Sequence, residues 1–149
     1  NGVPLDGRFE QLDFLGRSSD NELNYFDLGL SLQPSKGAVS GFSIVLDDAE
    51  GRFRPYSGKL LWRGTPIDIG QLSQAALPDL IGESYWLDTD EDESIAFYEY
   101  PHYEIQIELT LDGRPKWIIV TDDPLMASEE QRKSYGVTKP WPPGEVRGV

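Results

Sequence analysis

Cysteine is absent from the 149-residue sequence, which removes disulfide bonds, thiolate nucleophiles and zinc sites built on thiolates. Long apolar runs are absent too, since no stretch approaches the roughly 18 residues that a membrane-spanning helix requires. No signal peptide is visible at the start of the sequence. These absences favour a globular protein of the cytoplasm. If an amino-terminal export signal has been removed, we would expect the periplasm instead.

The short motifs of common catalytic and nucleotide-binding sites are also missing. Neither a G-x-S-x-G elbow, nor an H-E-x-x-H helix, nor a G-x-G-x-x-G turn occurs. The segment YSGKL at 56–60 lacks the first glycine of a phosphate-binding loop, and its leucine replaces the magnesium-binding Ser or Thr. We therefore expect no cofactor and no enzymatic activity. The single histidine, His102, leaves one alternative, a hydrolase that uses it together with carboxylates.

Positive charge is scarce, with 13 Lys and Arg against 26 Asp and Glu and a formal net charge of -13. Between Arg63 and Arg114 there are twelve acidic residues and no Lys or Arg. A field of this sign disfavours binding to nucleic acid or to an anionic membrane and suits a basic protein partner. We expect that partner to contact the acidic middle of the chain.

Four features occur twice, in the same order, along the chain. GVPL at 2–5 matches GTPI at 64–67, and each is followed by a helix-like segment that ends in Leu-Gly or Ile-Gly. Next come aromatic and acidic strands, NYFDLGLSL and AFYEYPHYEIQIEL, and then a strand ending in two aspartates, GFSIVLDD and KWIIVTDD. The spacing widens from 62 to 75 residues, as expected of a duplication whose second copy has gained insertions.

Each copy is predicted to contain an opening strand, a helix and an antiparallel meander. The fold class is therefore α+β, with two tandem repeats, a C-terminal helix and a Pro-rich tail. Helices are predicted over 7–15 and 69–81, a third begins at Pro124, and hairpin turns lie at 34–37 and 112–113. The expected units are a first repeat at 1–52, a second repeat with an acidic insertion at 53–126, and a helix with an extended tail at 127–149, all in one compact body.

Strict alternation over residues 103–111 predicts a strand with one core face and one outer face. The core face would contain Tyr103, Ile105, Ile107, Leu109 and Leu111, and the outer face Glu104, Gln106, Glu108 and Thr110. The outer face is either a solvated surface or a docking surface. In the second case its carboxylates would pair with a cationic partner, and neighbouring tyrosines would supply rigid contact area.

The stretch DTDEDESIAFYE at 88–99 resembles an EF-hand calcium loop, with Asp88, Asp90 and Asp92 at ligand positions and Glu99 at the last position. Glu93, however, occupies the position where the loop needs a glycine turn, and the aromatic residues that follow indicate a strand. We therefore predict an acidic turn that leads into a strand. A calcium-dependent binding module remains an alternative.

The doubled pattern of GVPL or GTPI, a short helix, Leu-Gly or Ile-Gly and aromatic-acidic strands resembles small tandem domains encoded beside bacterial polymorphic toxins as their immunity proteins. The resemblance covers roughly residues 1–124 through short motifs. It implies a non-enzymatic protein that binds one toxin domain and blocks its active site. It supplies no residue-level site, so the expected contacts rest on charge and alternation. These contacts are Asp88, Asp90, Glu91, Asp92, Glu93, Tyr98, Tyr100, Glu104, Gln106 and Glu108.

Overall fold

Two β-branched segments, AVSGFSIV and PKWIIVT, pair at the centre of a seven-stranded antiparallel sheet in the computed structural model, which describes residues 9–141. The strands are β1 (Asn24–Tyr25), β2 (Leu30–Ser35), β3 (Ala38–Val45), β4 (Leu60–Trp62), β5 (Thr65–Ile67), β6 (Trp86–Thr89), β7 (Glu93–Tyr100), β8 (Tyr103–Thr110) and β9 (Pro115–Thr121). The large sheet has the order β1-β2-β3-β9-β8-β7-β6, and β4 and β5 form a separate hairpin.

Short turns connect most neighbouring strands. The predicted turn at 34–37 is confirmed, since β2 ends at Ser35 and β3 begins at Ala38. The predicted turn at 112–113 is confirmed as well, with Gly113 at φ +83°. The opening strand at 2–5, the start of the first helix and the tail at 142–149 lie outside the described residues.

The helices are shorter than the sequence predicts. They are α1 (Leu77–Ile81), α2 (Glu129–Ser134) and the 3-10 helices Phe9–Leu15, Phe26–Leu28, Ile69–Gln71 and Leu125–Ala127. The predicted helix over 69–81 is therefore wrong in extent, because Pro78 begins α1 in its first turn and does not bend a longer helix. The last helix begins later than predicted, because Ser128 caps α2 by accepting a hydrogen bond from the Gln131 N–H at 3.3 Å. The α+β class itself is confirmed.

The two faces of the sheet are covered by different parts of the chain. We call the side with Ile105 and Ile107 the first face and the side with Glu104 and Glu108 the second face. The β4–β5 hairpin and α1 pack on the first face, where Ile105, Ile107 and Leu109 are buried as predicted. Leu111 was expected there but is 57% exposed, because β8 ends at Thr110 after a bulge near Leu109.

The carboxyl end of the described chain covers part of the second face. Met126 and Val137 pack there against Phe97 of β7, and all three side chains are buried. Tyr135 adds an edge-to-face contact with Phe97, with ring centroids 5.5 Å apart. The second face is therefore core at one end and partly exposed at the other. Within residues 9–141, no helix combines the length and the apolar character needed to cross a bilayer.

Gly29 allows the segment after β3 to pass closely over the start of β2. It adopts φ +65°, and a Cβ built there would lie 2.5 Å from the Arg54 carbonyl oxygen and 2.6 Å from the Tyr56 nitrogen. Gly29→Ala should lower the free energy of unfolding through two effects. The left-handed conformation of an alanine costs about 1–2 kcal/mol, and displacement of the 54–56 backbone costs about 1–3 kcal/mol.

The matched control is Gly37→Ala, since Gly37 has φ +81° with nothing within 4 Å of the built Cβ. Urea unfolding should show a clearly larger loss of free energy of unfolding for Gly29→Ala than for Gly37→Ala. Equal losses would mean that the close approach of the 54–56 segment contributes nothing.

Candidate interaction surface

The acidic stretch predicted to contact a partner forms a tight hairpin between β6 and β7. The Asp90 N–H donates to the Glu93 carbonyl at 3.0 Å, and Asp90 Oδ1 accepts from the N–H groups of Asp92 and Glu93 at 2.8 and 2.9 Å. These two backbone hydrogen bonds lower the pKa of the Asp90 carboxyl group, and the bond from Asp92 has the larger effect. Asp90, Glu91 and Asp92 are exposed at the tip of this hairpin. The turn therefore presents three carboxylates to solvent.

The same geometry contradicts the twelve-residue calcium loop. Asp88 lies in β6 opposite Ile95, whereas Glu99 lies further along β7 opposite Glu104. The Glu99 carboxylate is bonded to the Trp141 indole N–H at 2.6 Å and does not turn toward the hairpin tip. Among residues 9–141, no group of three or more His, Asp or Glu side chains is arranged to hold a metal ion.

Cross-strand partners on the second face form rows, because residues opposite each other in antiparallel strands share a face. One row runs from Asp88 through Ile95 and Glu108 to Trp117, and all four side chains are half-buried. It alternates carboxylate and apolar groups across β6, β7, β8 and β9. This row lies immediately below the hairpin tip.

Lys116 is the cation that bonds to a carboxylate of this region, and Arg52 lines the same surface recess beside Trp117. The Lys116 Nζ lies 2.5 Å from Glu93 Oε2, and both side chains are only about a quarter exposed, at 27% and 26%. The hydrogen bond to Glu93 raises the pKa of Lys116, whereas burial first, and then the Glu93 charge, raises the pKa of Glu108. The Lys116 ammonium group therefore lies near two carboxylates, Glu93 and Glu108, and the net charge of this surface stays negative.

We define the acidic surface as the hairpin tip, the row below it and their half-buried neighbours. Its members are Asp88, Asp90, Glu91, Asp92, Glu93, Ile95, Gln106, Glu108, Lys116 and Trp117. Sequence reasoning identified seven of these and missed Ile95, Lys116 and Trp117. Lys116 and Trp117 lie in KWIIVT, which does not alternate, so only the register that places Trp117 opposite Glu108 assigns the face of Trp117. Ile95 is placed in the same way, since it also lies opposite Glu108.

Three residues predicted as partner contacts are placed elsewhere by the structure. Glu104 has 0% exposure beneath the C-terminal segment, so it is not part of an outer surface. Tyr98 is 4% exposed and lies opposite Ile105 on the first face. Tyr100 stacks on Tyr103 of the first face at 4.4 Å. The strand register puts the tyrosines with the core, so the acidic surface contains none of them.

Glu99 and Glu104 form a carboxyl pair in the next part of the second face. They are direct cross-strand partners, and Glu104 accepts hydrogen bonds from the Gln106 side-chain amide and from the Met126 N–H, the latter at 3.3 Å. Glu99 Oε1 is buried, and in the described chain no N–H group donates to it. Burial first, and then the hydrogen bond to Glu104, raises the pKa of Glu99 to about 8. The folded state therefore favours the protonated form of Glu99.

The hydrolase alternative finds no support in this arrangement. His102 is exposed in the turn between β7 and β8. The carboxyl groups of Glu99 and Glu104 are bonded to Trp141, Gln106 and Met126, so they orient the C-terminal segment and not the imidazole.

No protein-family model matches the sequence, and a search of curated proteins gives no match. Among solved structures, the fold is similar to a DUF4309 family protein, YjgB, from Bacillus subtilis subsp. subtilis str. 168. The similarity covers 83% of this chain and 84% of that chain, with a TM-score of 0.56 and 14% sequence identity. At this identity the likeness establishes a shared fold and nothing about function.

The raised pKa of Glu99 predicts a stability that depends on pH. Because its folded pKa of about 8 lies above the ordinary value of 4.5, the folded state holds more protons between these values. This contribution is fully present below pH 4.5 and is lost as the pH rises through 8. The free energy of unfolding should fall by up to about 1.4 kcal/mol per pH unit in this window.

Glu99→Gln should reduce that slope, whereas Glu91→Gln at the exposed hairpin tip should leave it unchanged. Urea unfolding at several pH values between 5 and 8, followed by tryptophan fluorescence, measures both. A wild-type slope in Glu99→Gln would show that the pair does not hold the proton.

Proposed function

We propose that this protein is a non-enzymatic immunity or inhibitor protein, which binds a cognate bacterial toxin domain through the acidic surface and blocks it. The observation that supports this best is the exposed tip of Asp90, Glu91 and Asp92 beside the half-buried row that contains Ile95 and Trp117. Charged groups of one sign accelerate the capture of a basic partner, and a partly exposed tryptophan gives it an apolar anchor. The proposal needs no cofactor and places the complex in the cytoplasm.

The two parts of the acidic surface differ in exposure and should therefore affect binding in different ways. The hairpin tip is exposed and can attract a cation at a distance. Glu93 and Glu108 are partly buried around Lys116, so a partner's arginine or lysine would meet them only on close contact. Mutations at the tip should therefore affect the association rate, whereas mutations near Trp117 should affect the dissociation rate.

We further propose that the two halves of the chain arose by duplication, in a first repeat at 1–52 and a second at 53–126. The adjacent placement of β3 and β9, the last strand of each copy, supports this. A two-fold axis perpendicular to the sheet, between these two strands, would map each residue of β3 to a residue of β9 on the same face. Ser43 lies opposite Ile119, whereas a spacing of 75 would map it to Ile118, on the other face. The alignment of the two copies must therefore shift by one residue.

The test of function is the association rate with the basic toxin domain that we expect the neighbouring gene to encode. Glu91→Lys with Asp92→Lys reverses two tip charges and retains Asp90, which holds the turn. We expect association, measured by surface plasmon resonance, to slow about tenfold or more at low salt, with a weaker dependence on salt.

The matched control is Asp13→Lys with Glu22→Lys, which changes the net charge equally at exposed positions toward the β1 edge. The control should bind at close to the wild-type rate. Equal slowing by the two double variants would show that net charge, and not this surface, attracts the partner. A neighbouring gene without any toxin domain would contradict the immunity assignment.

A further inference from the structure

An apolar cavity separates the β4–β5 hairpin from the first face of the large sheet. Its volume is about 240 Å³, and every residue that lines it is apolar. Leu60, Trp62 and Ile67 form the hairpin side, and Ile105, Ile107 and Ile118 form the sheet side. The cavity is partly open, since Leu61, which also lines it, is 62% exposed.

A cavity with this lining offers water no hydrogen-bond partners. Engineered apolar cavities of about 150 Å³ stay dry and take up benzene-sized ligands. At about 30 Å³ for each small group, roughly the share of one water molecule, the present volume matches a chain of about eight carbons. The lining therefore suits a hydrocarbon and not a polar metabolite.

A cation lies beside this cavity. The Arg63 guanidinium carbon is 5.5 Å from the centre of the Trp62 ring, and Trp62 lines the cavity. The Tyr100 ring lies 6.0 Å from Trp62 and stacks on Tyr103. Burial raises the pKa of both tyrosines, that of Tyr100 to about 12, while the Arg63 charge acts in the opposite direction on each. Within residues 9–141, no carboxylate forms a salt bridge with Arg63.

The backbone holds Arg63 at the tip of the hairpin in an uncommon conformation. Its φ is +50° and that of Gly64 is +82°, so a non-glycine residue occupies a left-handed position where Asn or Asp is usual. Such positions are retained where the surrounding structure requires them. The hairpin turn thus places a cation beside the apolar cavity.

We propose that the cavity binds a medium-chain carboxylate of about eight carbons, with its chain along Ile107 and Ile118 and its carboxylate at Arg63. The charge of Arg63 selects this ligand over a neutral hydrocarbon or an apolar side chain of a partner protein. The site lies on the first face, on the opposite side of the sheet from the acidic surface. Binding of the carboxylate and binding of a toxin can therefore succeed or fail independently.

The experiment is a titration of the protein with octanoate and, separately, with octan-1-ol, followed by methyl NMR. Both ligands should shift the methyl signals of Ile105, Ile107 and Ile118. Arg63→Gln should weaken octanoate binding about tenfold and leave octanol binding unchanged, since one charge-assisted contact is lost.

The matched control is Lys36→Gln, because Lys36 is an exposed cation at φ +50° followed by Gly37 in another hairpin turn. It should bind octanoate like the wild type. Ile107→Phe should take up part of the cavity and weaken the binding of both ligands, as read from the shifts of Ile105 and Ile118. If that variant does not fold, the comparison of octanoate with octanol binding in Arg63→Gln still tests the proposal.

Three results would overturn the proposal. The first is the absence of methyl shifts at saturating octanoate. The second is undiminished octanoate binding by Arg63→Gln. The third is a set of Ile107 and Ile118 shifts that appears with protein concentration alone, which would identify a second copy of the chain as the occupant.

Discussion

The pairing of β3 with β9 joins two otherwise local structures into one sheet. On one side, β1 and β2 precede β3 as a meander, and on the other β6, β7 and β8 lead to β9. Within residues 9–141, these are the two large-sheet strands that pair across a long stretch of sequence, with Ile44 opposite Ile118. The Leu46 and Asp47 N–H groups extend the pairing to the Lys116 carbonyl at 2.8 and 3.0 Å. Without this contact, β3 and β9 would each be an unpaired edge of a smaller sheet.

The apolar groups of that central pair explain why both faces need cover. Ile44, Ile118 and Val120 lie on the first face, and Val45, Trp117 and Ile119 on the second. The chain covers the first face with a hairpin and a short helix, and part of the second with its last described residues. The half-buried remainder of the second face lies beside the acidic hairpin, where Phe53 already makes an edge contact with Trp117 at 5.5 Å. A partner could complete the burial of Ile95 and Trp117 there.

Alternation and turn chemistry predicted the strands of the second half closely, because both are local properties. SIAFYEY and YEIQIEL became β7 and β8, and the acidic stretch became the hairpin before them. Burial by distant segments could not be predicted in this way. Alternation along β8 predicts that Glu104 is exposed. It is buried instead, where it accepts a hydrogen bond from the Met126 N–H and pairs with Glu99. The tyrosines of β7 were misplaced because a shift of one residue in register reverses the face of every side chain.

Helix lengths were overestimated for a related reason. The apolar spacing of 69–81 suits a helix, but Leu72 and Leu77 contribute to the core from two short helical pieces separated by a turn. The cavity and Arg63 had no sequence signal, since both depend on where the β4–β5 hairpin rests. Local patterns therefore gave the sheet and the charged tip, while the contacts between distant segments decided which polar groups are buried.

The lengths of the outermost strands affect how the protein behaves at high concentration. β1 has two residues and β6 has four, so each edge exposes few unpaired backbone groups to another molecule. Asp88 lies within β6, and the acidic tip follows directly. Strand-to-strand polymerisation is therefore opposed at one edge by brevity and at the other by charge repulsion, which should keep concentrated protein free of β-aggregates.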